Sequence, residues 1–468
     1  MWERFSYYGM RALLTLFMVA PIAAGGLGFT TADAALLYGN YTMAVYLLAI
    51  PGGYIADHHL GARRAVMAGG LVIAAGHFAL AVPGVPAFYL GLVLIALGTG
   101  LFKPNISALV GSLYAHDDQR RDAGFSLFYM GINIGAFIAP LVTGFLAQSA
   151  TFKGWLAAAG FNPDGSWHWG FAAAGIGMTL AVVLFARRSG EFHAAMSPED
   201  DAPSADWLMG TAVLAGSGLL LAALLLSDRP GLEWLRYVVI ALPFAAIVVF
   251  ARAEDLQARR IAAIFVFFVA AMIFWSAFEQ AGLTIAIFAD RMTDNAVGSH
   301  TIPSAWYQSL NPLFVILLAP VMAALWTGLG PRQPPTPVKF ALGLGLLGLS
   351  FLLMIPAAHL TADGRVSPLW LVGLFFLQTV GELCLSPVGL AAMTRLAPAR
   401  LVGLMLGIWF LASAFGNKLA GILGTDFQSG DPAEMARFFL QLGGMAIVSA
   451  IALALLTPWL RRLMQDGR

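Results

Sequence analysis

Long apolar stretches recur along the chain, each about 18 residues or more and so long enough to cross a bilayer as a helix. Fourteen can be read, over roughly 2–24, 32–56, 65–83, 86–114, 123–148, 168–187, 206–227, 234–252, 259–289, 303–326, 337–357, 367–396, 401–425 and 434–460. Most linkers are short. The longest polar one, near 188–205, separates six spans from eight. The pattern predicts an all-α membrane protein with two six-helix bundles, at 1–188 and 258–468. A cytoplasmic linker and two additional transmembrane helices occupy 189–257; spans 206–227 and 234–252 carry little ionisable or amide chemistry, as peripheral packing helices would. A repeat of six plus six is the organisation of many secondary transporters.

Composition agrees with that class. Hydrophobic residues make up 59% and charged residues 11%, with a mean hydropathy of +0.79, whereas soluble domains carry about 25% charge. A net charge of +1 gives no sign of a nucleic-acid partner. The single cysteine, Cys384, excludes an intrachain disulfide and reads as a small packing residue. No signal peptide precedes the first helix, which starts at residue 2 without a lead-in; the native helix is expected to extend upstream. With the N-terminus in the cytoplasm, six of the 26 Lys and Arg residues fall outside (Lys153, Arg229, Arg236, Arg291, Arg365, Arg437) and four within spans (Arg4, Arg11, Lys103, Lys418). The other sixteen are cytoplasmic, a positive-inside bias that puts both termini in the cytoplasm.

Polar groups inside the spans carry the chemistry. A charge near the bilayer centre costs about 2.5–3.5 kcal/mol on insertion scales, so each needs a reason. On the first span Arg4, Tyr7, Tyr8 and Arg11 share an arc of roughly 100°, with Glu3 beside it. Other spans hold Asn40, Tyr41 and Tyr46; Lys103 and Asn105; Tyr129 and Asn133; Trp275, Glu279 and Gln280; Gln308 and Asn311; Glu382 and Ser386; Trp409 and Asn417. Apart from Lys418 there are three cations (Arg4, Arg11, Lys103) and three carboxylates (Glu3, Glu279, Glu382), a balance suited to pairing across a cavity. Both signs, with amides and aromatics between, suit a small zwitterion with apolar side groups. Lys418, near the outer end of its span, is expected to snorkel to the interface. His58-His59 reads as a solvated loop pair, with no further His or Cys at metal-ligand spacing. Gly343-x-Gly345-x-x-Gly348 matches the dinucleotide fingerprint by letter, but with no strand before it the expected role is close helix packing. No GK[ST] loop or HExxH is present, so ATP-driven transport and zinc proteolysis have no support, and nothing points to an enzyme.

The segment Gly53-x-x-x-Asp57-x-x-x-Gly61-x-Arg63-Arg64 resembles the cytoplasmic loop motif of the major facilitator superfamily, where Asp57, Arg63 and Arg64 would bridge helix ends in one transport state. Three further segments strengthen the likeness: Glu3-Arg4-Phe5-Ser6-Tyr7-Tyr8-Gly9-Met10-Arg11, Phe102-Lys103-Pro104-Asn105, and the run from Phe125 to Phe137 that contains Phe128-Tyr129-Met130-Gly131-Ile132-Asn133. With Trp275-x-x-x-Glu279-Gln280, Asn311-Pro312 and Glu382-x-x-x-Ser386-Pro387, the chain resembles the proton-coupled oligopeptide transporter (POT) family over essentially its whole length. The resemblance implies proton-driven symport of di- and tripeptides across the bacterial inner membrane, with protons as coupling ion, no cofactor, and a monomer in membrane lipid. It makes Arg4, Arg11 and Lys103 the cationic side facing the peptide carboxylate, and Asn133, Asn311 and Glu382 the holders of the amino terminus. Tyr7, Tyr8, Tyr46, Trp275, Trp409 and Ser386 would line the pocket. Glu279 with Arg11 would form the outer gate, Lys103 with Glu382 the inner one, and Glu3 or Glu279 would carry the proton. Two departures stand out. The family motif has a further glutamate three residues before Glu3, which this chain lacks, and the second-span histidine of animal relatives falls on Gly39. The alternatives are transport of another small solute, nitrate or an organic anion, and a non-transporting peptide sensor.

Overall fold

The computed structural model describes residues 1–113, 120–195, 258–298, 300–396 and 402–465, with scattered positions between 211 and 241. Most of the spans expected at 206–227 and 234–252, and most of the linker 189–257, lie outside the described residues. The helices are α1 (Trp2–Val19), α2 (Thr31–Leu47), α3 (Ala49–Ile55), α4 (Ala62–Leu80), α5 (Val85–Ser112), α6 (Arg121–Gln148), α7 (Ala150–Ala158) and α8 (Ser166–Ala195). They continue as α9 (Ala258–Phe278), α10 (Thr284–Arg291), α11 (Leu310–Leu329), α12 (Thr336–Leu360), α13 (Leu369–Leu396), α14 (Val402–Gly424) and α15 (Pro432–Gln465). Among the described residues, nine helices are long and apolar enough to cross a membrane. The 18-residue α1 is not one of them, because Glu3, Arg4 and Arg11 fall within it.

Local chemistry explains where the apolar stretches break. The second one divides into α2 and α3 because Pro51 lacks an N–H and its ring clashes with the carbonyl four residues earlier, at Leu47, where α2 ends. The expected loop after it is instead a π-helical turn, Ala56–Leu60, and Gly61 at φ 75° swings the chain into α4. His58-His59 therefore sits on a helical turn rather than a solvated loop, with the His58 ring stacked on Tyr54 at 4.1 Å. The ninth stretch breaks at a 3-10 turn, Glu279–Gly282, before α10. The sequence pattern did not anticipate α7 or the short hairpin that pairs Ala296 with Thr301.

The chain forms two compact units. One contains Met1–Thr30, Ala44–Ala222 and Asn295–Leu313; the other contains Thr31–Met43, Ala223–Asp294 and Phe314–Arg468. Helix α2 thus belongs to the second unit up to Met43 and to the first from Ala44. In the first unit α4, α5 and α8 enclose Val66, Ile73, Phe102, Leu109 and Met178. Lipid tails are as apolar as leucine, so helices in a bilayer gain little from hiding apolar surface from one another; close packing between small residues takes over. Each unit does this with glycine. A Cβ on Gly69 would stand 2.7 Å from the Gly98 carbonyl oxygen, bringing α4 onto α5. In the second unit a Cβ on Gly343 would lie 2.8 Å from the Gly381 oxygen, and one on Gly348 2.8 Å from the Gly443 oxygen. The nucleotide-like glycine run is a packing seam, as expected.

Gly345, on the same run, has room: a Cβ there would meet its nearest neighbour, Ala450, at 3.9 Å. Gly348→Val should cost about 1–3 kcal/mol by overpacking. Gly345→Ala should be neutral or slightly stabilising. Thermal unfolding of both variants in detergent checks this; equal losses would contradict the assignment.

Candidate functional site

In the first unit α1 presents its polar face. Glu3 is buried at 7% exposure, and its Oε2 lies 3.0 Å from Arg4 Nε. The other carboxylate oxygen, Oε1, is buried without a hydrogen-bond partner. Tyr7 and Tyr8 meet edge to face at 5.4 Å, and the Arg11 guanidinium lies 5.9 Å from the centre of the Tyr8 ring. Arg4 interacts electrostatically with Tyr7, Tyr8 and Tyr46. Lys103 places its ammonium 3.5 Å from the centre of the Tyr46 ring. Three cations therefore lie on or beside an aromatic shelf, whose π-faces stabilise positive charge in a medium that lacks water.

Neighbouring residues fix that arrangement. Gly52 and Gly100 let α3 and α5 approach, since a Cβ on Gly52 would run into the Gly100 carbonyl. Asn105 bonds the Leu101 carbonyl at 2.7 Å, four residues back on its own helix, which makes it helix glue. Asn133, buried on α6, donates to the Tyr129 carbonyl at 3.0 Å. Asn311 falls in the first turn of α11 and is half-buried. In the segment from Gly53 to Arg64, Asp57 and Arg64 are exposed, while Arg63 buries an Nε without a hydrogen-bond partner. Among the described residues no ion pair joins these three in this structure.

The second unit carries the carboxylates of the other half. Glu279 is buried at the start of the 3-10 turn. Its neighbour Gln280 donates to the Ala420 carbonyl at 2.9 Å and accepts from Thr284 at 3.0 Å, so its amide is spent on packing. Trp275 packs edge-on against Phe274 and Phe278, and its Nε1 is buried without a hydrogen-bond partner. Glu382 and Ser386 are half-buried on α13. Trp409 is buried, its ring lying where a side chain on Gly389 would be and 6.0 Å from the ring of Phe340.

Lys418 departs from expectation. It is 2% exposed, and its Nζ donates to Asn40 Oδ1 at 2.5 Å. It does not snorkel, because α2 lies against this part of α14 and supplies an acceptor. Gly39, beside Asn40, explains the missing histidine: a Cβ there would come 2.8 Å from the Gly421 Cα, so no side chain fits. Sequence reading also overlooked Gln378, which is fully buried with neither polar atom hydrogen-bonded; it lies one turn before Glu382, a spacing that could have flagged it. It overlooked Gln148 too, whose amide donates to Ser304 Oγ at 2.8 Å and accepts from the Ala305 N–H at 3.0 Å. Among the described residues no group of three His, Cys, Asp or Glu side chains is placed to hold a metal ion.

Comparison with known proteins agrees with this chemistry. The profile described as the POT family matches residues 63–437. The peptide transporter YePEPT of Yersinia enterocolitica is 40% identical, over 100% of this chain and 93% of that protein. A di-/tripeptide transporter of Lactococcus lactis subsp. cremoris is 36% identical, over 100% and 95%. A crystal structure of the peptide transporter POT, a variant in complex with alafosfalin, superposes with a TM-score of 0.88 at 40% identity, covering 99% of this chain and 93% of that one. The chain belongs to the POT family. It is an all-α, multi-pass membrane transporter of the major facilitator fold and not an enzyme.

The Lys103–Tyr46 contact can be tested without a transport assay. Tyr46→Leu should lower stability by about 0.5–2 kcal/mol, while Tyr46→Phe keeps the ring face and should lose little. Thermal unfolding of the two variants separates ring from hydroxyl; equal losses would contradict the cation–aromatic reading.

Proposed function

We propose that this protein carries di- and tripeptides across the bacterial inner membrane together with protons, by alternating access. The observation that carries the reading is the clustering of Arg4, Arg11 and Lys103 with Tyr7, Tyr8 and Tyr46 in one compact unit. The other unit carries the buried Glu279 and the half-buried Glu382. A peptide has one carboxylate for the first set and one ammonium for the second. The names of the relatives, peptide and di-/tripeptide transporters, support the same substrate class.

In this reading Arg4, Arg11 and Lys103 hold the peptide carboxylate, and Asn133, Asn311 and Glu382 hold its amino terminus. Tyr7, Tyr8, Tyr46, Trp275, Trp409 and Ser386 accommodate the side chains. Arg11 with Glu279, and Lys103 with Glu382, are alternative pairs that peptide competes for, which gives each state its differential contacts. A proton on Glu3 or Glu279 releases the arginine beside it, since a neutral carboxyl no longer holds a cation. The two six-helix bundles lie at 1–188 and 258–468, with 189–257 inserted. Asp57, Arg63 and Arg64 act at the cytoplasmic ends of the helices in another transport state. Both termini face the cytoplasm, and the monomer is the working unit.

Proteoliposomes with an imposed inward proton gradient test the reading. Labelled dialanine should accumulate, and unlabelled dialanine and trialanine should compete while free alanine and nitrate should not. Lys103→Ala should abolish uphill uptake, and Glu279→Gln should lose gradient-driven accumulation. Competition by nitrate, or full accumulation by either variant, would contradict the corresponding assignment.

A further inference from the structure

Lys418 lies outside the set of residues assigned to peptide and proton, yet it is a charged side chain buried inside a compact unit. It stands in a seam formed by the first part of α2. Down one face of α2 run Ala35, Tyr38 and Gly39, at helical spacing. A Cβ on Gly421 of α14 would lie 2.7 Å from the Ala35 carbonyl oxygen, and one on Gly424 3.1 Å from the Ala35 Cβ. Gly39 meets Gly421 backbone to backbone. The Tyr38 ring is fully buried, its hydroxyl against Gly282 in the turn that breaks α9 from α10. Beside this seam the Lys418 ammonium donates to the Asn40 amide oxygen.

The composition of the seam suits a contact that opens. Small residues bring backbones together while burying little apolar surface, so separation forfeits little area. The lysine works in both directions. Closed, its ammonium gives up water, a cost that acceptors must offset. Open to the outside, it regains hydration. The two arrangements are thereby brought close in free energy, as a switch requires. The placement of α2 agrees: the helix is continuous to Leu47, yet Thr31–Met43 belongs to one compact unit and Ala44–Leu47 to the other.

We propose that Lys418 is a gating residue for transport: its hydrogen bond to Asn40 closes the outer part of α2 on α14, and this contact opens once in each transport cycle. The proposal rests on the transporter reading above, and on the topology that puts Thr31 and Gly424 at the outer side.

The single native cysteine makes the test clean. In a Cys384→Ala background, Ala35→Cys with Gly424→Cys places two thiols at a Cβ separation within a few tenths of an ångström of the ~3.5 Å lower limit for a disulfide. Oxidation should stop gradient-driven dipeptide uptake, and dithiothreitol should restore it. Full uptake by protein shown to be cross-linked would overturn the proposal. Absence of uptake in the Cys384→Ala reference itself would instead count against the transporter reading, so the two failures are distinguishable. A second measurement isolates Lys418. With Ala35→Cys alone as reporter, the rate of labelling by a membrane-impermeant maleimide applied from outside reads opening. Removing one partner of a buried hydrogen bond costs more than replacing both by apolar groups. Asn40→Leu and Lys418→Met should therefore each raise labelling several-fold, and the double variant should fall back toward the reference. Single variants that label at the reference rate would contradict the gating role.

Discussion

A charge inside the hydrocarbon layer has to be solvated by protein, and that constraint organises α1 and everything packed on it. Glu3 and Arg4 satisfy it by pairing at 3.0 Å, Arg11 by lying over Tyr8, and Lys103 by lying over Tyr46. The Oε1 of Glu3 is buried beside them without a hydrogen-bond partner, a polar atom that the fold leaves unsatisfied.

The second constraint is the weakness of the hydrophobic effect between helices in lipid. Glycine seams replace it, and they differ in what they permit. Gly343 against Gly381 and Gly348 against Gly443 lie against the apolar side chains of Leu385 and Ile447, and read as permanent packing. Gly39 against Gly421 lies beside a hydrogen-bonded lysine and a tyrosine hydroxyl. The polar members make that seam reversible, whereas an all-apolar seam of the same shape would have no hydrated alternative to open into.

Helix content and the intramembrane charges were legible in the sequence, because length, hydropathy and a polar residue in an apolar run are local signals. The break at Pro51 was legible in principle, through the carbonyl of Leu47. What escaped was whatever depended on a neighbour distant in the chain. Lys418 looked like a snorkelling lysine because Asn40, its acceptor, is 378 residues away. Asn105 and Gln280 stood out only as polar groups within apolar spans, and their amides proved to be engaged with main-chain carbonyls. Gln148 sat unnoticed at the end of an apolar run, because nothing local announces a partner at Ser304.

The central claim is that peptide is recognised by both of its charged ends, the carboxylate by Arg4, Arg11 and Lys103 and the ammonium by Asn133, Asn311 and Glu382. Binding of dialanine, its C-terminal amide and its N-acetyl form to the detergent-purified protein, followed by the rise in unfolding temperature, tests it most directly. The account predicts stabilisation by dialanine and little by either capped form. Equal stabilisation by all three would contradict it.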